Sequence, residues 1–259
     1  MFLLLSGQKI TVRFTVSVCR GIMTKAYPGC KSRRQMNGVD IGMKHPVCRN
    51  HWRGRLDTDD MAQVQSLVAQ CEENARMLIA QGRLMTAALY YHGSQLCLYY
   101  EALEEELTPE SFRAPLHPLL AQWPQKEETR DWARMYNIYW HDEPRSIADW
   151  QRPTPPEKRR GRIAYLKHES MWRYVYHHYA IVEEGLLQGD RYQSIAMHED
   201  VLFSYFEEPR TFRNIRRVPQ GESQALQAWL DVDPESHFIP LPGSNGANFL
   251  LLPHYFAIG

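Results

Sequence analysis

The clearest alternation of apolar and polar positions lies in residues 162–208. Arg162-Ile163-Ala164-Tyr165-Leu166-Lys167 alternates as a strand does. Over 169–188 the apolar residues Met171, Tyr174, Val175, Ile181, Val182 and Leu186 recur at helical intervals, which predicts one apolar helix face. Gly189-Asp190 is the expected stop, because glycine enters the left-handed conformation without a Cβ clash. Residues 192–197 and 201–206 then read as two strands about a polar His198-Glu199-Asp200 tip, a hairpin pattern.

The same order occurs earlier in the chain. Residues 61–81 predict an amphipathic helix through Val64, Leu67, Val68, Cys71, Ala75, Leu78 and Ile79, ended by Gly82. Strands at 84–91 and 95–101 follow, on either side of His92-Gly93-Ser94. Leu96-Cys97-Leu98-Tyr99-Tyr100-Glu101 can be laid on Leu202-Phe203-Ser204-Tyr205-Phe206-Glu207, which argues for an internal repeat. After each hairpin comes a candidate tryptophan-bearing helix, 116–122 with Trp123 and 223–230 with Trp229, and then a closing strand, 133–140 and 249–258. Pro144, Pro153, Pro155, Pro156 and Lys158-Arg159-Arg160 give the intervening stretch the composition of a linker.

The expected architecture is therefore α+β: a poorly ordered leader at 1–60, a degenerate ferredoxin-like half at 61–142, a linker at 143–161 and a second ferredoxin-like half at 162–259. Ile195, Phe203 and Tyr205 leave apolar side chains on both faces of one sheet. Packing the two sheets face to face would cover the second face, giving an intrachain pseudo-dimeric α+β barrel.

Composition adjusts this picture in a few places. A chain of 259 residues can bury a substantial core. Its zero net charge conceals eleven Lys or Arg against Asp40 alone through Leu56, leaving nineteen basic and twenty-nine acidic residues beyond. That leader lacks interleaved aromatics, so no nucleic-acid partner is expected. Cys30, His45, Cys48 and His51 have the chemistry of zinc ligands but not the paired spacing, and no metal is expected. Five cysteines at unrelated spacings argue for a reducing cytoplasm. Met1-Phe2-Leu3-Leu4-Leu5 is too short for a signal peptide or a membrane span. Met61, after Asp57-Thr58-Asp59-Asp60, is a candidate start of the folded protein.

Residues 162–259 resemble the L-rhamnose mutarotase family of dimeric α+β barrels. The resemblance is carried by Tyr174 and His178 four apart on a helix, Gly189, Tyr192 with Ser194-Ile195, Leu202-Phe203 to Glu207, Trp229, and Leu252-Pro253-His254-Tyr255-Phe256-Ala257-Ile258. The family's Trp-Pro-Glu-Leu is replaced here by Tyr179-Ala180-Ile181-Val182-Glu183-Glu184. The resemblance implies interconversion of the anomers of a 6-deoxyhexose such as L-rhamnose, with no cofactor. Opening a hemiacetal ring needs one proton donor and one acceptor, which makes His178, His177 and Tyr174 the candidate catalytic residues. Tyr192 and Trp229 are candidate sugar platforms, although Trp229 and Trp123 also suit a core. The first half carries Leu67 and Cys71 at the matching helix positions, so activity would belong to the second. The alternatives are a non-catalytic ligand-binding or assembly protein of the same fold, with further homo-oligomers open, and a monooxygenase-type enzyme. The latter could use His177 or His178 as a haem ligand.

Overall fold

Val47–Arg55 forms a nine-residue strand, β1, hydrogen-bonded to neighbours along both edges. The computed structural model describes residues 46–103, 107–125, 128–210, 216–217 and 223–259. The expected disorder of 1–45 lies outside the described residues; for 47–55 the expectation is corrected. Cys48 and Trp52 turn one face of β1 to a helix layer, so Arg49, His51 and Arg53 take the opposite face. The period of two was present, but the polar set points inward. That inversion gave the stretch the composition of a basic tail.

Met61–Ala80 forms α1, capped by the Asp60 carboxylate, which accepts from the Gln63 N–H at 3.0 Å. Its buried residues Val64, Val68, Cys71, Ala75 and Leu78 cover the outer face of the hairpin Leu84–His92 (β2) and Gln95–Leu103 (β3). Next come a single turn, Glu110–Arg113 (α2), and a 3-10 segment, Ala114–Leu119. A regular helix at 116–122 is not formed, because Pro115 and Pro118 have no N–H to give. Trp123 instead begins a small strand pair, Trp123–Gln125 with Glu128–Arg130. Trp132–Trp140 is β4.

Ile147–Trp150 (α3) is a short helical turn in the linker, and the strand Lys158–Leu166 (β5) begins earlier than expected, taking in the basic cluster. The helix Met171–Glu184 (α4) stops at Gly185, with φ of 67°, one turn before Gly189. Ser194–His198 (β6) and Val201–Glu208 (β7) form the expected hairpin, and Gln224–Leu230 (α5) is capped by Ser223. The predicted closing strand is split into Leu250–Leu251 (β8) and His254–Ile258 (β9).

All pairings in the main sheet are antiparallel. Strand order is β4-β1-β3-β2 in the first part and β8-β5-β7-β6 in the second. Residues 132–135 of β4 pair with β1, and residues 136–140 pair with β6 with a register shift between Asn137 and Tyr139, so one strand joins the two parts. On the other side β8 lies on β5 and β9 on β2, with Leu252 N–H to Gly161 O at 2.9 Å and Tyr91 N–H to Pro253 O at 3.1 Å between them. The sheet thereby curls round an interior. Three apolar layers result: α1 and α2 outside the first part, α4 and α5 outside the second, and the interior shared by both. Among the described residues no helix is long and apolar enough to cross a membrane.

Candidate functional site

The predicted residues Tyr174, His177, His178 and Trp229 meet in the outer layer between α4, α5 and the sheet. The Tyr174 and His178 rings stack at 3.8 Å, and Trp229 meets His178 at 4.8 Å and His177 at 5.6 Å. His178 Nδ1 lies 3.0 Å from the Tyr174 carbonyl and donates to it, and Tyr139 closes a further side at 5.4 Å. Burial drives the His178 pKa down to about 4 and raises that of Tyr174, so both are neutral near pH 7. Tyr192 is elsewhere, against Trp150 and Arg152 of the linker. Gly189 lies under the His141 ring, where a Cβ would stand 2.1 Å from it, so its role is close packing rather than a helix stop.

The interior holds the groups that strand pattern alone did not single out. In register, Glu101, Tyr99 and Cys97 of β3 stand beside Arg49, His51 and Arg53 of β1. In the same way Glu207, Tyr205 and Phe203 of β7 stand beside Arg159, Gly161 and Ile163 of β5. The Tyr99 and Tyr205 rings stack at 3.7 Å, and each hydroxyl donates to the glutamate two residues on, at 2.6 and 2.7 Å. The aligned hairpin sequences thus meet at the centre of the molecule.

His51 and Gly161 hold corresponding register positions but have opposite surroundings. Over Gly161 the Tyr90 ring is so close that a Cβ would stand 2.6 Å from it. His51 is 2% exposed and has the edges of Tyr99 at 4.9 Å and Phe203 at 5.7 Å. Its Nε2 lies 3.0 Å from the Ser194 hydroxyl, while Nδ1 is buried with no hydrogen-bond partner among the described residues. The Tyr90 hydroxyl is buried and unpartnered too. Burial, and then the Arg49 charge, push the His51 pKa well below the ordinary histidine range. The cross-strand neighbours of His51 on the two sides, Tyr99 and Met135, belong to the same buried interior cluster. Of the residues with zinc-ligand chemistry, Cys48 and His51 face opposite sides of β1, and Cys30 and His45 lie outside the described residues.

The linker closes one end of the interior. Trp150 is fully buried, and its indole N–H donates to Glu101 at 3.0 Å. Arg152 donates to Glu101 at 2.5 and 3.0 Å and to Glu207 at 2.7 Å, with its guanidinium 3.9 Å from the Tyr192 ring. Burial alone would raise the Glu101 carboxyl, but the adjacent Arg152 outweighs it and holds the group below its usual range. At the far end Arg53 reaches Glu199 at 3.1 Å and lies 4.9 Å from the Trp123 ring, against which His198 packs. His198, expected as an exposed hairpin tip, is thus partly covered.

Comparison with known proteins returns no matching family model and no matching curated protein. Solved structures do match. One is described as a putative monooxygenase from Fusobacterium nucleatum subsp. nucleatum, at 8% identity over 83% of this chain and 95% of that one, with a TM-score of 0.39. A putative chlorite dismutase matches at 12% identity, 80% and 94% coverage and TM-score 0.35. An anthrone oxidase-like protein matches at 9%, 83% and 92%, with TM-score 0.37. None of these three is described as a rhamnose mutarotase, and the mutarotase resemblance and the isomerase reading are corrected accordingly.

Proposed function

We propose that the chain is a duplicated α+β barrel, two ferredoxin-like halves in one polypeptide, that binds a small planar phenol or quinone in its interior beside His51. The matching strand orders and the paired Tyr-x-Glu segments support the duplication. On this reading the halves are residues 46–140 and 158–259, and 141–157 is the connection.

The observation that carries the binding reading is the unpartnered buried Nδ1 of His51. A buried polar atom left without a partner costs about 1–3 kcal/mol, and a bound group that pairs with it removes that cost. Because Ser194 can either donate to Nε2 or accept from it, Nδ1 can present a proton or a lone pair. That suits both a phenolic O–H and a quinone carbonyl. Tyr99 and Phe203 surround the imidazole with aromatic surface, and a barrel of this strand number encloses space for side chains or one small ligand. The test is calorimetric titration of wild type and His51→Phe with a panel of simple phenols and quinones. Binding by wild type that His51→Phe loses supports the site; no binding by any member removes it.

A catalytic reading of the same site, of the monooxygenase type, is favoured by one observation: His51 is held neutral and can take a proton from an acidic O–H. Oxygen consumption on addition of a bound phenol, absent in His51→Phe, would distinguish enzyme from binder.

A further inference from the structure

We propose that Glu101, Glu207 and the Tyr192 ring form a guanidinium-binding site that the chain fills from within, Arg152 being a tethered occupant that an alkylguanidine can replace. The proposal does not depend on the His51 site.

Glu101 and Glu207 come from corresponding ends of β3 and β7, and both are buried, Glu101 completely. Two carboxylates in one dry place require a cation, since like charges there cannot both stay ionised unaided. The sheet could have supplied one from its own strands. Arg49, in register with Glu101, instead donates to the Tyr99 hydroxyl at 3.1 Å and to the Tyr192 carbonyl at 2.8 Å, and Arg159, in register with Glu207, donates to the Gly259 backbone oxygen. The cation comes from the connecting segment, between Trp150 and Pro153. Arg152 meets Glu207 through Nε and one terminal nitrogen, and Glu101 through both terminal nitrogens, while Tyr192 covers the plane. Two carboxylates spread along the edges of one planar fork, with a ring on its face, select guanidinium over ammonium.

The experiment is thermal unfolding of the full chain with Arg152→Ala, with and without millimolar ethylguanidinium, at constant ionic strength set with tetramethylammonium chloride. Loss of the tethered cation lowers the melting midpoint by roughly 10 °C. Ethylguanidinium then restores at least half of that loss with a saturating dose curve, does nothing for wild type at the same concentrations, and fails on Arg152→Ala combined with Glu207→Gln. A linear response, or an equal response in the double variant, overturns the proposal. Arg152→Lys keeps the charge without the fork; a melting midpoint equal to wild type would also overturn it, reducing the site to charge neutralisation. If Arg152→Ala does not accumulate folded, it is refolded from urea, and recovery only with ethylguanidinium supports the site while none at any concentration counts against it.

Discussion

The two parts of the sheet carry the same strand order and the same Tyr-x-Glu segment, yet they fill corresponding positions in opposite ways. On β5 the position is Gly161, and the Tyr90 ring occupies the space a side chain would take. On β1 it is His51, polar, buried and half-satisfied. The helix layers differ in the reverse sense. Beside β1, α1 packs Val64, Val68, Cys71 and Ala75, whereas beside β5, α4 packs Tyr174, His177 and His178 against Trp229. His178 has aromatic rings around it and its N–H on a carbonyl. A histidine with an unpaired nitrogen facing a shared interior is a place for chemistry or for a ligand. The first part, set aside on sequence as the degenerate one, contributes that nitrogen.

The contrast can be broken most forcefully at Gly161. Gly161→Val forces a branched side chain into the Tyr90 ring, and a loss of about 3 kcal/mol is expected in urea unfolding. Adding Tyr90→Ala should return part of it, because the clash and the ring disappear together. A cost below 0.5 kcal/mol, on the order expected at an ordinary surface position, would mean that the ring does not fill this position.

His178→Ala should cost about 2 kcal/mol through the lost stack and the cavity left by the ring, while leaving phenol or quinone binding intact. His51→Phe should remove binding, its cost in stability being that of the Ser194 hydroxyl it leaves unpaired, offset in part by deletion of the unpartnered Nδ1. If both variants lose binding, the two histidines do not play separate roles.

Acid provides a gentler probe of the same comparison. The pKa values of His51 and His178 lie below the unfolded histidine value, so below about pH 6.5 the unfolded chain binds protons that the folded chain does not. Stability is therefore full above that pH and falls as pH drops towards the folded value, about 4 for His178. Each buried imidazole contributes a limiting slope of about 1.4 kcal/mol per pH unit. Glu101, held low by Arg152, acts in the same direction at more acid pH, its contribution being lost as pH falls through its folded value. Replacing either histidine by Phe should lessen the slope between pH 6 and 5 in urea titrations; an unchanged slope would show that the ring titrates normally. The smallest effect is expected at Trp172, 77% exposed on α4, where Trp172→Ser should move stability by less than about 0.5 kcal/mol.

Much of the frame was readable from sequence because its signals were local. Asp60 and Gly82 mark the ends of α1, and the alternation in β3 and β7 exposed the Tyr-x-Glu correspondence that the structure brings into contact. The pattern of α4 was legible too, and the grouping of Tyr174, His178 and Trp229 with it, although not what that grouping does. What escaped was long-range. Nothing within residues 47–55 says that Arg49, His51 and Arg53 turn towards an enclosed space instead of water, because that space is built by strands up to two hundred residues later. Arg152 escaped for a related reason: proline-rich composition marks a connection, and composition does not reveal where a connection docks.

Nitrogen NMR of the imidazole side chains tests the central claim most directly. In protein labelled with 15N at histidine, His51 should remain neutral at pH 6, and its Nδ1 resonance should shift on saturation with a bound phenol or quinone while those of His178 stay in place. A His51 ring that titrates near the ordinary value and does not respond to any such compound would contradict the account.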